Sequence, residues 1–191
     1  MPLPKHQKRR LLHDREISCR GYVRDDGLIE IEAQLTDTKP FDIQNKDRGG
    51  KIIAGEALHG MAVRIALDQE MTIREAAAAM DDTPYNYCKQ VEPAYASLVG
   101  ISIGPGWRGK IRDRVGGAKG CTHLTELLPV VATTAFQTLV SLQQQMEQDS
   151  STEDYSDYVP HLINTCRSHA EDSPVVRDNW PEFYRGAKGR Q

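Results

Sequence analysis

Apolar and polar residues alternate along two segments near the start of the chain, residues 16–24 and 28–38. Asp26 and Gly27 lie between them, and an Asp-Gly pair between two such segments is typical of a tight β-hairpin. In the second segment apolar and acidic residues alternate imperfectly, which indicates a sheet with one face turned towards water. The chain is therefore expected to open with a β-hairpin.

Residues 51–68 predict one or two further strands, because their apolar residues follow a period of two. The residues on the predicted apolar face are Met61, Val63, Ile65 and Leu67. His59 has the same parity and is expected on that face.

The pattern becomes helical at Thr72, which forms a capping-box arrangement with Glu75 and precedes a run of alanines. We expect a helix from here to about Asp81. A second helix is predicted from Thr83, as N-cap, to Gly100.

The third and longest predicted helix follows Cys121, where apolar residues recur at three- and four-residue steps. Its apolar face consists of Leu124, Leu127, Leu128, Val131, Ala135, Leu139 and Leu142.

These elements predict an α+β fold, in which a small antiparallel β-sheet from the N-terminal half packs against a helical layer with one long helix after Cys121. The expected organisation is a basic tail at residues 1–12, a single α+β domain at 13–147, an acidic linker at 148–158 and a C-terminal segment at 159–191. That last segment has enough apolar residues to dock back on the domain.

Net charge and the distribution of apolar residues argue against several classes of protein, namely nucleic-acid-binding, membrane-spanning and secreted proteins. The net charge is −3, so the chain has no global positive field, and nucleic acid is not expected as a partner. The longest apolar-rich stretch, residues 124–142, is interrupted by polar residues and a proline, so no membrane span is expected. The basic N-terminus lacks the apolar run of a secretory signal. We therefore predict a cytoplasmic protein, and an exposed sheet face makes a homo-oligomer a reasonable expectation.

Candidate chemistry centres on the glycine-rich loop before the long helix. Cys121 lies where this loop becomes helical, and the free amides of a helix N-terminus stabilise a thiolate. His123 is within reach as an acid, base or ligand, and Glu126 shares its helix face. An enzyme would use Cys121 as nucleophile or metal ligand, His123 as acid, base or ligand, and Glu126 to orient His123. Acyl transfer, hydrolysis or a lyase step on a small organic acid would suit these residues. A buried structural cysteine is the competing interpretation.

A basic segment precedes the loop and favours a small anionic organic ligand. Arg108 or Arg112 could bind a substrate carboxylate. His59 is a further candidate substrate contact, although a histidine in a strand is often only structural. The cofactor is unknown.

Two other hypotheses stay open. The first is a metal or iron–sulfur protein, in which zinc or iron is bound by Cys88, Cys121, His123 and Cys166 if these residues converge in space. The second is a binding module without catalysis, in which the same residues only pack.

The hairpin holds a further group of charged residues: His13, Arg15, Arg20, Arg24, Asp25, Asp26 and Asp37. The turn and solvated strand faces explain most of them, so an ion pair between Asp25 and an arginine is expected ahead of a general acid or base.

Four segments in order, residues 19–41, 58–68, 85–107 and 116–128, resemble a bacterial family known only as a domain of unknown function, number twenty-eight eighty-nine. The resemblance runs from about His13 to Val176, and its most specific piece is Gly-Cys-Thr-His-Leu-Thr-Glu-Leu. It implies a fold unit and a residue set but no activity.

The resemblance strengthens functional roles for Cys121, His123 and Glu126, and to a lesser degree for His59 and Cys88. The family also has a cysteine in its tail, which Cys166 matches. In the family a histidine commonly follows that cysteine directly. Here Arg167 intervenes and the histidine is His169.

Overall fold

The computed structural model describes residues 3–149 and 159–186. These residues form two compact units, Met1–Gln143 and Gln144–Gln191, and each unit is described by itself. The predicted acidic linker, 148–158, falls almost wholly outside the described residues. The docking of residues 159–191 on the domain stays a prediction.

The first unit is built on a four-stranded antiparallel sheet with the order β1-β2-β5-β6. The bounds of its strands are β1, Asp14–Val23; β2, Ile29–Thr38; β5, Ala57–Leu67; and β6, Ile73–Asp82. A separate two-stranded hairpin consists of β3, Ile43–Asn45, and β4, Gly50–Ile52. Asp26 and Gly27 lie in the turn between β1 and β2, and Gly27 has the positive φ that such turns require.

Helical elements follow the sheet. They are a 3₁₀ helix at Asn86–Leu98, α1 at Trp107–Val115, a 3₁₀ turn at Gly117–Lys119 and α2 at Thr122–Asp149. The inward side of the sheet is apolar, because alternate residues of β2 from Ile29 to Leu35 are fully or almost fully buried. The predicted α+β fold, with a small antiparallel sheet and a long helix after Cys121, is confirmed.

Helix α2 covers the inward side of the sheet. Its buried face is Leu124, Leu127, Leu128, Val131, Ala132, Ala135 and Leu139. Gly21 of β1 lies so close to Thr138 of α2 that a side chain at this strand position would overlap the threonine. The close approach fixes the helix against the edge strand.

Within the described residues, Thr122–Gln145 is the single helical stretch that is long and apolar enough, by length and composition alone, to cross a membrane. The core helix of a soluble protein meets the same criterion, so the expected absence of a membrane partner stays a prediction.

Two predicted helices differ in the structure. The segment from Thr72 to Asp81 was expected to be helical, and this prediction is wrong, because Ile73–Asp82 is strand β6 and pairs along its length with β5. The pairing with β5 overrides the helix propensity of the alanine run. The second predicted helix is helical, but as the 3₁₀ helix Asn86–Leu98, with Pro93 inside it.

The second unit contains α3, Val159–Leu162, α4, Pro174–Asn179, and a 3₁₀ turn at Pro181–Phe183. Ser173 caps α4, since its hydroxyl accepts a hydrogen bond of 3.1 Å from the Val176 amide. Cys166 is exposed, and its Sγ lies 3.6 Å from Nδ1 of His169.

Candidate functional site

Asp37 is a fully buried carboxylate at the centre of the candidate site. It continues the inward-facing positions of β2 by one further step after Leu35, just before a β-bulge interrupts the pairing with β5. Arg15 of β1 and His59 of β5 are its partners in the strand register, one on each side. The sheet therefore places Arg15, Asp37 and His59 in one row.

Four donor atoms surround this carboxylate. Arg15 binds it bidentately, with Nε 2.7 Å from Oδ1 and Nη2 2.8 Å from Oδ2. His59 Nδ1 lies 2.8 Å from Oδ2, and His13 Nε2 lies 3.3 Å from Oδ1. Burial alone would raise the pKa of Asp37, but the hydrogen bonds from Arg15 and His59 outweigh it and hold the pKa at about 2. Asp37 is therefore ionised at neutral pH.

His123 adds a second imidazole to the cluster. It lies in the first turn of α2, and its ring stacks on that of His59 with centroids 3.9 Å apart and an interplanar angle of 31°. Its Nε2 lies 3.9 Å from Oδ2 of Asp37. Burial, together with the nearby His59 and Arg15, lowers the pKa of His123 below its ordinary value. The ring is thus neutral at pH 7 and able to accept a proton.

Cys121 immediately precedes α2 and faces His123 from the other side. Its Sγ lies 3.8 Å from Nδ1 of His123 and 3.9 Å from Sδ of Met61. The buried Tyr95 fixes its backbone: the Cys121 amide donates to the Tyr95 hydroxyl at 3.1 Å, and this hydroxyl lies 3.0 Å from the Cys121 carbonyl oxygen. Cys121 is a half-buried residue.

Glu126 lies one turn further along α2, where its half-exposed carboxylate accepts a 2.9 Å hydrogen bond from Nη1 of Arg15. Arg15 therefore connects two carboxylates, the buried Asp37 and the exposed Glu126. The carboxylate that approaches the His123 ring is that of Asp37, whose Oδ2 lies 3.9 Å from Nε2 of His123.

A cavity of about 340 Å³ lies between α1 and the first turns of α2. It is lined by Arg108, Ile111, Arg112, Gly116, Gly117, Thr122, Thr125, Glu126 and Pro129. Neither Arg108 nor Arg112 has an ion-pair or hydrogen-bond partner for its guanidinium within residues 3–149 and 159–186. The cavity therefore presents two exposed positive charges.

Three side chains could together hold a metal ion. One ligand atom from each of Asp37, His59 and His123 lies within 4.8 Å of the other two, and among the described residues this is the single group of three with that geometry. Two imidazoles and a carboxylate are a common donor set for iron and zinc.

The structure brings together Cys121, His123 and His59 from the sequence-predicted candidates, and places Arg108 and Arg112 at one cavity. Two further candidates, Cys88 and Cys166, are not members of this group. Cys88 is a half-buried residue of the 3₁₀ helix Asn86–Leu98, and Cys166 belongs to the second unit. The predicted metal set of Cys88, Cys121, His123 and Cys166 stays a prediction.

The central role of Asp37 is not predicted from the sequence, where this residue is one of several hairpin charges. The signal that could have found it is the period of two in β2, where Ile31, Ala33 and Leu35 face inwards and Asp37 follows with the same parity. A carboxylate that continues a buried face must be matched by a partner. The expected ion pair of Asp25 is not among those that the described residues form, and in this turn it is Asp26 that pairs with Arg24.

No curated protein and no solved structure matches the chain. The sequence model of one protein family matches residues 13–137, more than half of the chain, and its description is "Protein of unknown function (DUF2889)". The match includes the residues that surround Asp37, from His13 to His123. The chain therefore belongs to the DUF2889 family of proteins of unknown function.

Proposed function

We propose that this protein is a small enzyme that uses Cys121 as a nucleophile and His123 as its general base, on a small organic substrate that carries an acyl group. One observation carries the proposal. The His123 ring lies between the thiol and the buried carboxylate, with Nδ1 3.8 Å from Sγ of Cys121 and Nε2 3.9 Å from Oδ2 of Asp37. Nucleophile, base and orienting acid are thus in the order that cysteine-based catalysis uses.

Asp37 takes the orienting role in this proposal. Its oxygen favours the tautomer of His123 that carries the proton on Nε2, which leaves Nδ1 free to accept the thiol proton. Both distances are longer than hydrogen bonds in a working complex, as is common in ligand-free active sites. Glu126, predicted from the sequence to orient His123, instead contacts Arg15 and helps to hold this side chain on Asp37.

The first turn of α2 supplies the second requirement, a site for negative charge. The amides of Thr122, His123 and Leu124 belong to this turn and have no intrahelical acceptor. They lie next to Cys121 in sequence and can donate to an oxyanion that forms on a carbonyl attacked by its sulfur.

The reaction is acyl transfer to sulfur followed by hydrolysis. The Cys121 proton passes to His123, the Sγ–carbon bond forms, the bond from carbon to the leaving group breaks, and the leaving group takes the proton from His123. Water then gives a proton to His123 and attacks the thioester carbon. The carbon–sulfur bond breaks, the acid departs, and the thiolate takes the proton back from His123.

Selective alkylation tests the proposal. Iodoacetamide labelling followed by peptide mass spectrometry measures the rate at each cysteine of the native protein. We expect Cys121 to react faster than the equally half-buried Cys19 and Cys88. His123→Gln should slow labelling of Cys121 by about tenfold or more, since a positioned base contributes at least that much.

His169→Gln is the matched control, because His169 lies beside Cys166 in the second unit as His123 lies beside Cys121. It should leave the Cys121 rate unchanged. A panel of ester and thioester substrates then measures turnover, which Cys121→Ser should abolish. Equal labelling of Cys121 in the wild-type protein and in His123→Gln would refute the proposal.

A metal centre at Asp37, His59 and His123 is a second candidate function, favoured by the spacing of their ligand atoms within 4.8 Å. The bidentate contact of Arg15 with Asp37 weighs against it, since both carboxylate oxygens already accept hydrogen bonds. A bound ion would have to share or displace this guanidinium.

Elemental analysis of untagged protein, with Zn²⁺ titration by calorimetry, separates the two candidates. A metal centre predicts near-stoichiometric zinc or iron that His59→Ala removes and His169→Ala retains. Cys121→Ser distinguishes the two ligand sets, because it should lower metal content only if Cys121 is a ligand. Absence of binding in all these proteins would eliminate the metal centre.

A further inference from the structure

The cavity between α1 and α2 contains two guanidinium groups without partners. Arg108 and Arg112 lie one helical turn apart on α1, both are exposed, and neither is paired within the described part of the chain. Other arginines of the same unit are paired, for example Arg24 with Asp26 and Arg74 with Asp68. The cavity thus presents a positive charge that nothing in the described structure neutralises.

The one acidic residue that lines the cavity does not cancel this charge. Glu126 brings one negative charge against two guanidinium groups, and its carboxylate already accepts a 2.9 Å hydrogen bond from Arg15. The N-terminus of α2, at Thr122, adds the partial positive charge of a long helix on the same side. The electrostatics of the cavity therefore favour an anion.

The remaining lining indicates what the anion is attached to. Ile111 and Pro129 contribute apolar surface, and Gly116 and Gly117 add backbone without side chains. A cavity of about 340 Å³ is at the small end of the range for small-molecule sites. A bare inorganic ion would leave most of this surface uncovered, whereas an organic acid would bury it.

We propose that the α1–α2 cavity binds a small organic acid, with Arg108 and Arg112 on its carboxylate and Ile111 and Pro129 against its apolar body. Arginine suits a carboxylate because the planar guanidinium donates two parallel hydrogen bonds. This inference rests on the proposed function. Thr122 lines the cavity and directly follows Cys121, the proposed nucleophile. The substrate carries a carboxylate at one end and the reacting acyl group at the other.

Binding can be measured without turnover. Two-dimensional NMR of the full chain follows the amides of Gly116, Gly117 and Thr122 during titration with butyrate, hexanoate, benzoate and phenylacetate. Benzyl alcohol serves as the neutral probe and inorganic phosphate as the ion without an apolar body. We expect saturable shifts for at least one carboxylate, at lower concentration than for either of these two probes.

Arg108→Gln with Arg112→Gln should weaken the best carboxylate by about tenfold or more, because hydrogen bonds to a charged group are lost. Lys110→Gln is the matched control: it removes an exposed positive charge from the same helix, and Lys110 does not line the cavity. If the control weakens binding as much as the double variant, the effect is general charge attraction and the proposal fails. It also fails if no probe saturates, or if phosphate binds as tightly as the carboxylates.

Cys121→Ser separates this inference from the proposed function. The variant should bind the carboxylate with unchanged affinity, because the contacts are made by α1 and by Pro129. If carboxylate binding depends on the arginines but Cys121 does not react selectively, the carboxylate site is supported and the thiol chemistry is refuted. If Cys121 reacts selectively but no carboxylate binds, the thiol chemistry is supported and the carboxylate site is refuted.

Discussion

A fully buried carboxylate costs free energy unless its charge is matched, and Asp37 is matched from three elements. Arg15 neutralises it from β1, His59 donates to it from β5, and His123 approaches it from α2. Because one of these partners is His123, the arrangement holds a proton acceptor, its Nδ1, 3.8 Å from the sulfur of Cys121. The same residue that stabilises the junction of sheet and helix therefore orients the proposed base.

Asp37→Asn should lower the stability of the protein in a pH-dependent way. The pKa of Asp37 is about 2 in the folded protein against an ordinary value of 3.8, so its contribution is present above pH 3.8 and is lost as the pH falls through 2. We expect a loss of about 2 kcal/mol at pH 7. Urea unfolding of wild type and variant between pH 7 and pH 2 checks this.

The stability difference between the two proteins should narrow as the pH falls from 5 towards 2. Asp25→Asn, at an exposed position of the β1–β2 turn, is the control and should change little at any pH. Parallel pH profiles for wild type and Asp37→Asn would show that the carboxylate charge is not what stabilises this junction.

Single residues of the site were only partly predictable from the sequence. Cys121 and His123 stand out, because a cysteine and a histidine two residues apart at a glycine-to-helix junction form a local signal. His59 could be placed on the inward face by its parity with Met61. The contact between His59 and Asp37, 22 residues apart in sequence, depends on strand register, and no spacing along the chain reveals how β2 and β5 are aligned.

Elements whose local sequence signal agrees with their place in the fold were predicted correctly. Strand β6 was not, because its local signal favours a helix and its pairing with β5 makes it a strand. The β1–β2 hairpin follows from Asp26-Gly27, and α2 follows from its apolar period. Strand β6 carries the opposite local signal, since alanine is the best helix former. It is a strand because eight of its ten residues have partners in β5 and its inward positions Ile73 and Met80 are buried.

Ala77→Thr should reveal which conformation the alanine run adopts in solution. Ala77 is exposed in β6 opposite Arg64, and a β-branched residue at such a strand position is expected to stabilise the protein by up to about 1 kcal/mol. In a helix the same change would destabilise it by a few tenths of a kcal/mol. The sign of the change in the free energy of unfolding, measured in urea, decides between a strand and a helix.

Gln137→Thr is the matched control, because Gln137 is exposed in the middle of α2 and the substitution should there lower stability. Opposite signs at the two positions are the expected result. A destabilising Ala77→Thr, equal to the effect of Gln137→Thr, would mean that the segment is helical as the sequence alone suggested.

Across the whole chain, the elements that form the site belong to the unit Met1–Gln143, and the family match at residues 13–137 lies inside it. The sheet, α1, the start of α2, the Asp37 cluster and the α1–α2 cavity are all in this part. The inward face of the sheet is buried by α2, so this unit has its own core. The described contacts that the proposed chemistry uses join residues of this unit.

A fragment of residues 1–149, ending where α2 ends, should therefore fold and keep the reactivity of the site. We expect one cooperative unfolding transition in urea and a Cys121 alkylation rate within about twofold of the full chain, because the core and the His123–Asp37 contacts are intact.

A fragment of residues 1–118 is the control. It lacks α2, leaves the apolar row of β2 uncovered, and should show no cooperative transition, since a sheet with an exposed inner face cannot offset its conformational entropy. If the longer fragment also unfolds without cooperativity, the second unit is part of the folding domain. If it folds but Cys121 loses its reactivity, residues after 149 take part in the site, and the proposed catalytic set would be incomplete.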